Sequence, residues 1–231
     1  MTGNAAPGGA GPAEGPAHLG RCLEELERWA HACFDRAQGS HDWEHTRRVL
    51  ALCRHIGRAE KADAVVLHAA ACLHDIGRAR QDQSGGRICH ARQGVEMARP
   101  VVAVLPVSRK RRDNILHCIA AHRFRGTQTP RTREARVLFD ADKLDAIGAV
   151  GIARAFLFAG EVGARLHNAD GRISGTSAYT RDDTGYREYK LKLSKIHERM
   201  LTRTGREMAA ARHVFMATFF ERFEAEHRGE A

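Results

Sequence analysis

Aromatic side chains are scarce in this chain, at 6% of its residues. None of them interleaves the densest basic run, "SRKRRD" (108–113), so that run offers no platform for stacked bases. No C-x-x-C pair occurs among the six cysteines (Cys22, Cys33, Cys53, Cys72, Cys89 and Cys118). This argues against zinc fingers and thioredoxin chemistry, and the cysteines read as buried, reduced thiols acting as small hydrophobes. No apolar run approaches the roughly 20 residues that cross a bilayer. The N-terminus has no basic segment leading into an apolar one, so no secretory signal is expected. Alternation of period two is hard to find, and no hairpin signal separates apolar runs. What these absences leave is a soluble, cytoplasmic, helical protein with no membrane role.

The 231 residues are enough for one sizeable domain or two small ones. Apolar residues make up 43% and charged residues 28%, ordinary values for a globular chain. The formal charge is +9, which favours anionic partners without choosing among them. The basic run reads as a solvated helix start, so nucleic acid is disfavoured against a small phosphorylated molecule.

Residues 1–17 contain 13 Gly, Ala or Pro and cannot bury a core, so a disordered tail is expected. Beyond it the periodicity is helical almost throughout, with helices predicted at about 18–37, 42–58, 61–76, 90–99, 108–122, 132–146, 148–158, 185–202 and 206–227. Breaks are expected at Gly77, Pro100 and Pro106, among other positions. A polar stretch at 161–184 reads as a surface loop or flap. Gly148 and Gly151 suit close helix packing, since no strand precedes them to form a phosphate cradle. The fold class is all-α: a domain over 18–160 with a C-terminal helical extension, 185–231, packed on it. The stripe Ala210, Val214, Phe215, Ala217, Thr218 and Phe219 either packs back on the core, the default, or forms the seam of a homodimer.

Fourteen histidines are present, and several fall on apolar faces. His45 shares one with Val49, Cys53 and Ile56; His74 with Val66, Ala70 and Leu73; His122 with Ile115, Cys118 and Ile119. Asp142 and Asp145 line up with Leu138 and Ala141, and Asp75 stands about 100° around from His74. A single inward histidine is usually a satisfied core residue. Four helices that each turn a His or Asp inward need a common partner, and a divalent cation satisfies them all. Imidazole with carboxylate suits Mn, Fe, Co, Ni, Zn or Mg.

The blocks "SHDWEHTRRV" (40–49), "LHDIGR" (73–78) and "DADKLDAIGAVGIARAF" (140–156) resemble the HD-domain superfamily of metal-dependent phosphohydrolases. Its ordered motif is a His on one helix, an adjacent His-Asp on a later one, and a distal Asp. The likeness runs through "ICHARQGVEMA" (88–98), "ILHCIAAHRFRG" (115–126) and 189–223, and is nearest the small stand-alone bacterial hydrolases. It implies an HD-domain helical bundle holding one divalent metal through His45, His74, Asp75 and Asp142. His45 is preferred to His41 because it lies four residues before Val49; Asp142 is chosen because it precedes Lys143.

Some branches hold a second metal through two further histidines, and His90 and His122 fall at those places; phosphate contact is the other role open to them. His41 is either a phosphate contact or proton donor, or a helix-capping residue. Lys143, Arg123 and Arg125 are candidates to hold the substrate's phosphate. Asp140 would be a helix-start residue or stand behind the ligands, and Asp145 would orient one of them. The activity implied is hydrolysis of a phosphate ester or anhydride of a small, nucleotide-like substrate. The alternatives are a di-iron oxygenase using His90 and His122, or a catalytically silent ligand-binding domain.

Overall fold

The helix Ala64–Leu73 carries no charged side chain, so no long stretch of it can face water. The rest of the chain is arranged around it. A computed structural model describes residues 15–34, 42–84, 87–123, 128–168, 173 and 175–231. These form α1 (Pro16–Ala32), α2 (Trp43–Ala59), α3 (Ala64–Leu73), α4 (Arg78–Gln83), α5 (His90–Ala103), α6 (Arg109–Ala121), α7 (Arg133–Leu144), α8 (Gly148–Glu161), α9 (Gly185–Leu191) and α10 (Arg203–His227). A 3-10 segment, Leu193–Arg199, joins α9 to α10. No strand occurs among the described residues.

Helix α3 packs against α1, α2, α6 and α7; α5 lies on α6, and α4 on α5. The core between them includes Val49, Ile56, Leu73, Ile115, Ile119, Leu138 and Leu144, all fully buried. Side-chain oxygens start six of the helices: Asp42, Asp63, Ser108, Thr132, Thr184 and Thr202 each accept a backbone N–H one turn on.

Several expectations need correction. Pro16 and Ala17, assigned to the tail, open α1, because proline's fixed φ suits a first helical position; residues 1–14 lie outside the described residues. Helix α5 does not stop at Pro100 but continues to Ala103. The proline is exposed near the helix end, and buried Ala98 and Val102 hold the last turn in place. The single helix expected over 185–202 breaks at Lys192 (φ −134°, ψ −56°). From there the 3-10 spacing buries Leu193 and Ile196 together. Helix α4 was not anticipated.

The face of α10 turned inward is Ala209, Met216 and Phe220, whereas Val214 and Phe215 of the anticipated stripe are exposed. Phe220 stacks on Tyr189 at 4.1 Å and meets Phe156 of α8. All six cysteines are free; Cys53, Cys72 and Cys118 are buried and the other three half-buried. Within 161–184, Asn168 is buried and hydrogen-bonded to Thr184, while Arg187 grips Thr176 and Asp183. In the basic run, Arg111 pairs with Asp63 and Arg112 caps the carbonyl of Ala103.

Candidate metal centre

The chain leaves α3 through His74, Asp75 and Gly77. A Cβ on Gly77 would collide with the carbonyl oxygen of His90 and stand 2.7 Å from the nitrogen of Gly94. Backbone therefore lies directly on backbone there, which sets Asp75 beside the start of α5. Helix α2 brings His45 to the same place, α6 brings His122, and α7 brings Asp142.

Two groups of three potential ligands result: His45, His74 and Asp142, and Asp75, His90 and His122. In the first, His45 Nε2 lies 3.3 Å from His74 Nε2 and 3.4 Å from Asp142 Oδ1. In the second, His90 Nε2 and His122 Nε2 are 3.1 Å apart, and each is 3.4 Å from Asp75 Oδ1. The other oxygen, Asp75 Oδ2, faces the first group at 3.8 Å from His45 Nε2 and 3.9 Å from His74 Nε2. All four imidazoles and Asp75 are buried.

The proton on each ring can be placed. His74 Nδ1 donates to the carbonyl of Ala71 at 2.7 Å, and His122 Nδ1 to that of Ile119 at 2.7 Å. His45 Nδ1 donates to Asp145 Oδ2 at 2.8 Å, and His90 Nδ1 to Gln81 Oε1 at 2.8 Å. In a neutral ring, a proton on Nδ1 leaves Nε2 bare. His90 and His122 in their neutral forms therefore confront lone pair with lone pair at 3.1 Å, a repulsive arrangement that a shared cation reverses. Donors bound at 2.0–2.2 Å to one metal stand roughly 3–4 Å from each other, so the set fits.

The electrostatics agree with that chemistry. Burial pushes His74 down to about 4 and His90 down to about 3, so both are neutral near pH 7, as ligands must be. Burial also opposes charge on His45, but Asp142 and Asp145 outweigh it and its pKa is raised. Burial opposes ionisation of Asp142 as well; Lys143 and His45 overcome it and hold that carboxyl well below its ordinary value.

Asp145 also accepts from Arg48 Nε at 2.7 Å and from Arg154 at 2.7 Å. Lys143 Nζ donates to Asp142 Oδ2 at 2.6 Å and to the carbonyl of His122 at 3.1 Å. Arg123 donates to Cys89 Sγ, adjacent to His90 in the chain. Asp140 takes no place behind the ligands, nor is it a helix-start residue: it lies inside α7. Its oxygens accept from the backbone of Leu201 and Thr202 and from the Thr202 hydroxyl, anchoring the start of α10. His41 and Arg125 lie outside the described residues.

Four neighbours escaped sequence reasoning: Arg48, Arg78, Gln81 and Arg154. Arg48 and Arg78 each stand three residues past a ligand, a helical spacing that could have drawn notice. Arg78 reaches Asp75 Oδ2 at 3.3 Å, and its buried Nε meets no acceptor among the described residues. A third cluster, Glu27, His68 and Cys72, lies between α1 and α3. There Arg54 donates to His68 Nδ1 at 3.4 Å, which leaves the ring's proton on Nε2, 3.3 Å from Glu27. That Nε2 is buried and makes no hydrogen bond among the described residues.

Comparison with known proteins bears on this arrangement. The family model described as HD domain matches residues 42–147. The Bacillus subtilis protein YpgQ is 32% identical over 210 residues, covering 89% of this chain and 94% of its own. A crystal structure of YpgQ in complex with ADP superposes with a TM-score of 0.70 at 30% identity, over 90% of this chain and 96% of that one. An HD-superfamily hydrolase from Bacillus thuringiensis gives a TM-score of 0.69 at 25% identity, over 91% and 98%. A predicted HD superfamily hydrolase from an uncultured Thermotogales bacterium gives 0.61 at 29%, over 90% and 92%. The likeness thus runs nearly end to end and spans the helices that carry His45, the His74–Asp75 pair and Asp142, and the chain belongs to the HD-domain family.

Proposed function

We propose that this chain is a divalent-metal-dependent phosphohydrolase that cleaves a phosphate ester or anhydride of a small, nucleotide-like substrate. The observation that carries the reading is the division of the Asp75 carboxylate, one oxygen facing each group of ligands. His45, His74 and Asp142 would hold one cation and His90 and His122 a second, with Asp75 shared between them. Bound there, the cations supply Lewis acidity that neutralises phosphoryl charge and lowers the pKa of water.

The protein's own groups do the rest. The four Nδ1 hydrogen bonds keep every ring's Nε2 directed into the centre, so no described ligand imidazole is left to carry a proton. With one cation bound, Asp75 would accept the proton of an attacking water; with two, it would be their shared ligand. Arg78, whose buried Nε meets no acceptor among the described residues, and Lys143 would hold phosphate oxygens. The +9 charge favours the approach of an anion. The complex of YpgQ with ADP supports a nucleotide as the substrate class.

Elemental analysis of the purified protein, followed by a nucleotide and phosphoester panel with added Mn, Co, Ni or Mg, tests the reading. Wild type should release phosphate from part of the panel, and Asp75→Ala should not. Equal release by both would sink the mechanism. The convergence of His90 and His122 also suits a di-iron oxygenase, which two irons per chain and oxygen uptake with a phosphonate or polyol would establish instead.

A further inference from the structure

The four imidazoles differ in what holds them. His74 and His122 donate to carbonyls of the preceding helical turn, which no substitution removes. His45 leans on a carboxylate, Asp145. His90 leans on a neutral side chain from a separate element, Gln81 of α4. The orientation of that amide follows from an unambiguous donor. The backbone N–H of His90 can only donate, and it reaches the same atom at 3.2 Å, so the atom is the amide oxygen. An oxygen 2.8 Å from the ring nitrogen then requires the proton on Nδ1. The same oxygen satisfies the opening N–H of α5, whose capping residue, Cys89, makes no side-chain hydrogen bond there. One acceptor thus both starts the helix that carries His90 and selects the tautomer of its ring.

We infer that Gln81 is the positioning residue that makes the Asp75–His90–His122 half a cation site. Its neutral amide makes this half the weaker of the two and the second to fill. The inference rests on the two-cation reading above. A carboxylate behind an imidazole raises its basicity as a ligand, and a neutral amide does so less. The His45 half has that carboxylate and a further anionic ligand, Asp142; the His90 half has Asp75 alone. Occupancy of the second half therefore depends on α4 lying against α5.

Calorimetric titration of Mn²⁺ into the metal-stripped full chain tests this on wild type, Gln81→Ala and Gln81→Glu, with circular dichroism to follow folding. Wild type should show two steps. Gln81→Ala should keep the first and weaken the second by about 10–100-fold. Gln81→Glu retains length and acceptor, and should bind the second equivalent more tightly than wild type. A merely structural role would move both steps together and would gain nothing from glutamate, and either result overturns the inference. Two wild-type steps with an unchanged second step in both variants overturn it alone. A single wild-type equivalent overturns the two-cation reading as well. If Gln81→Ala does not fold, Gln81→Glu decides: a tighter second step supports the inference, and an equal or weaker one overturns it.

Discussion

His45 and Asp145 are a hundred residues apart in the chain and share a 2.8 Å hydrogen bond in the interior. The same carboxylate holds Arg48 and Arg154, so it aims a candidate ligand and neutralises two cations at once. Asp145→Ala should weaken Mn²⁺ binding by about 10–100-fold. It should also cost about 2–3 kcal/mol of stability, below the figure for a fully buried pair because Arg48 is 34% exposed. Asp145→Asn, which keeps an acceptor, should retain most of the stability and still bind metal less tightly. Metal titrations and denaturant melts in EDTA read both effects. Unaltered Mn²⁺ affinity in Asp145→Ala would show that the carboxylate does not orient the ring.

Asp140 is expected to behave oppositely. Asp140→Ala leaves two backbone N–H groups and the Thr202 hydroxyl without their acceptor, a loss of about 3 kcal/mol, or roughly 6–12 °C in Tm for a chain of this size. The folded fraction should bind Mn²⁺ like wild type. A Cβ on Gly205 would stand 2.8 Å from Asp140 Cγ, so Gly205→Ala should weaken the same joint. Metal affinity falling in step with Tm would place Asp140 in the centre after all.

The metal-free protein should lose stability as the pH falls. His74 and His90 have folded pKa values of about 4 and about 3 against an ordinary histidine's 6.5, so between those values the unfolded chain binds protons that the folded chain refuses. Their contribution is complete above 6.5 and is lost progressively below it. His45, raised by its carboxylates, acts in the opposite sense and offsets part of the loss. Asp142 and Asp145, both depressed, extend the decline below 3.8. Denaturant midpoints in EDTA between about pH 7.5 and 5 measure the net slope. A midpoint that rose on acidification would contradict the assigned ring protonation.

Arg78→Ala should raise the KM for a nucleotide substrate about 10–100-fold, the worth of a charge-assisted hydrogen bond, with a smaller change in kcat. An unchanged KM would remove Arg78 from the phosphate contacts.

What was legible in the sequence follows from how each residue is placed. His45, His74, His122 and Asp142 could be found because helical period sets them on apolar faces, and a buried polar group on such a face needs a partner. His90 stands at the first turn of α5, where periodicity says little, and only the family likeness pointed to it. Gln81 was illegible: α4 has six residues and no amphipathic pattern, and the role of the amide exists only once α4 meets α5. The expected face of α10 was misjudged: the stripe through Ala210, Val214 and Phe215 lies far around the helix from the inward Ala209, Met216 and Phe220. The start of that helix is anchored by Thr202 on Asp140, sixty-two residues away.

The contact at Gly77 sets a mechanical tolerance. Because main chain rests on main chain there, the gap between the α3 turn and α5 is fixed by atoms common to every amino acid, and the missing Cβ is the only adjustable part. A larger residue at 77 would act as a shim, driving the two helices apart and carrying Asp75 and His90 with them. The spacing between Asp75 and His90 is therefore gauged by a position outside the candidate ligand set.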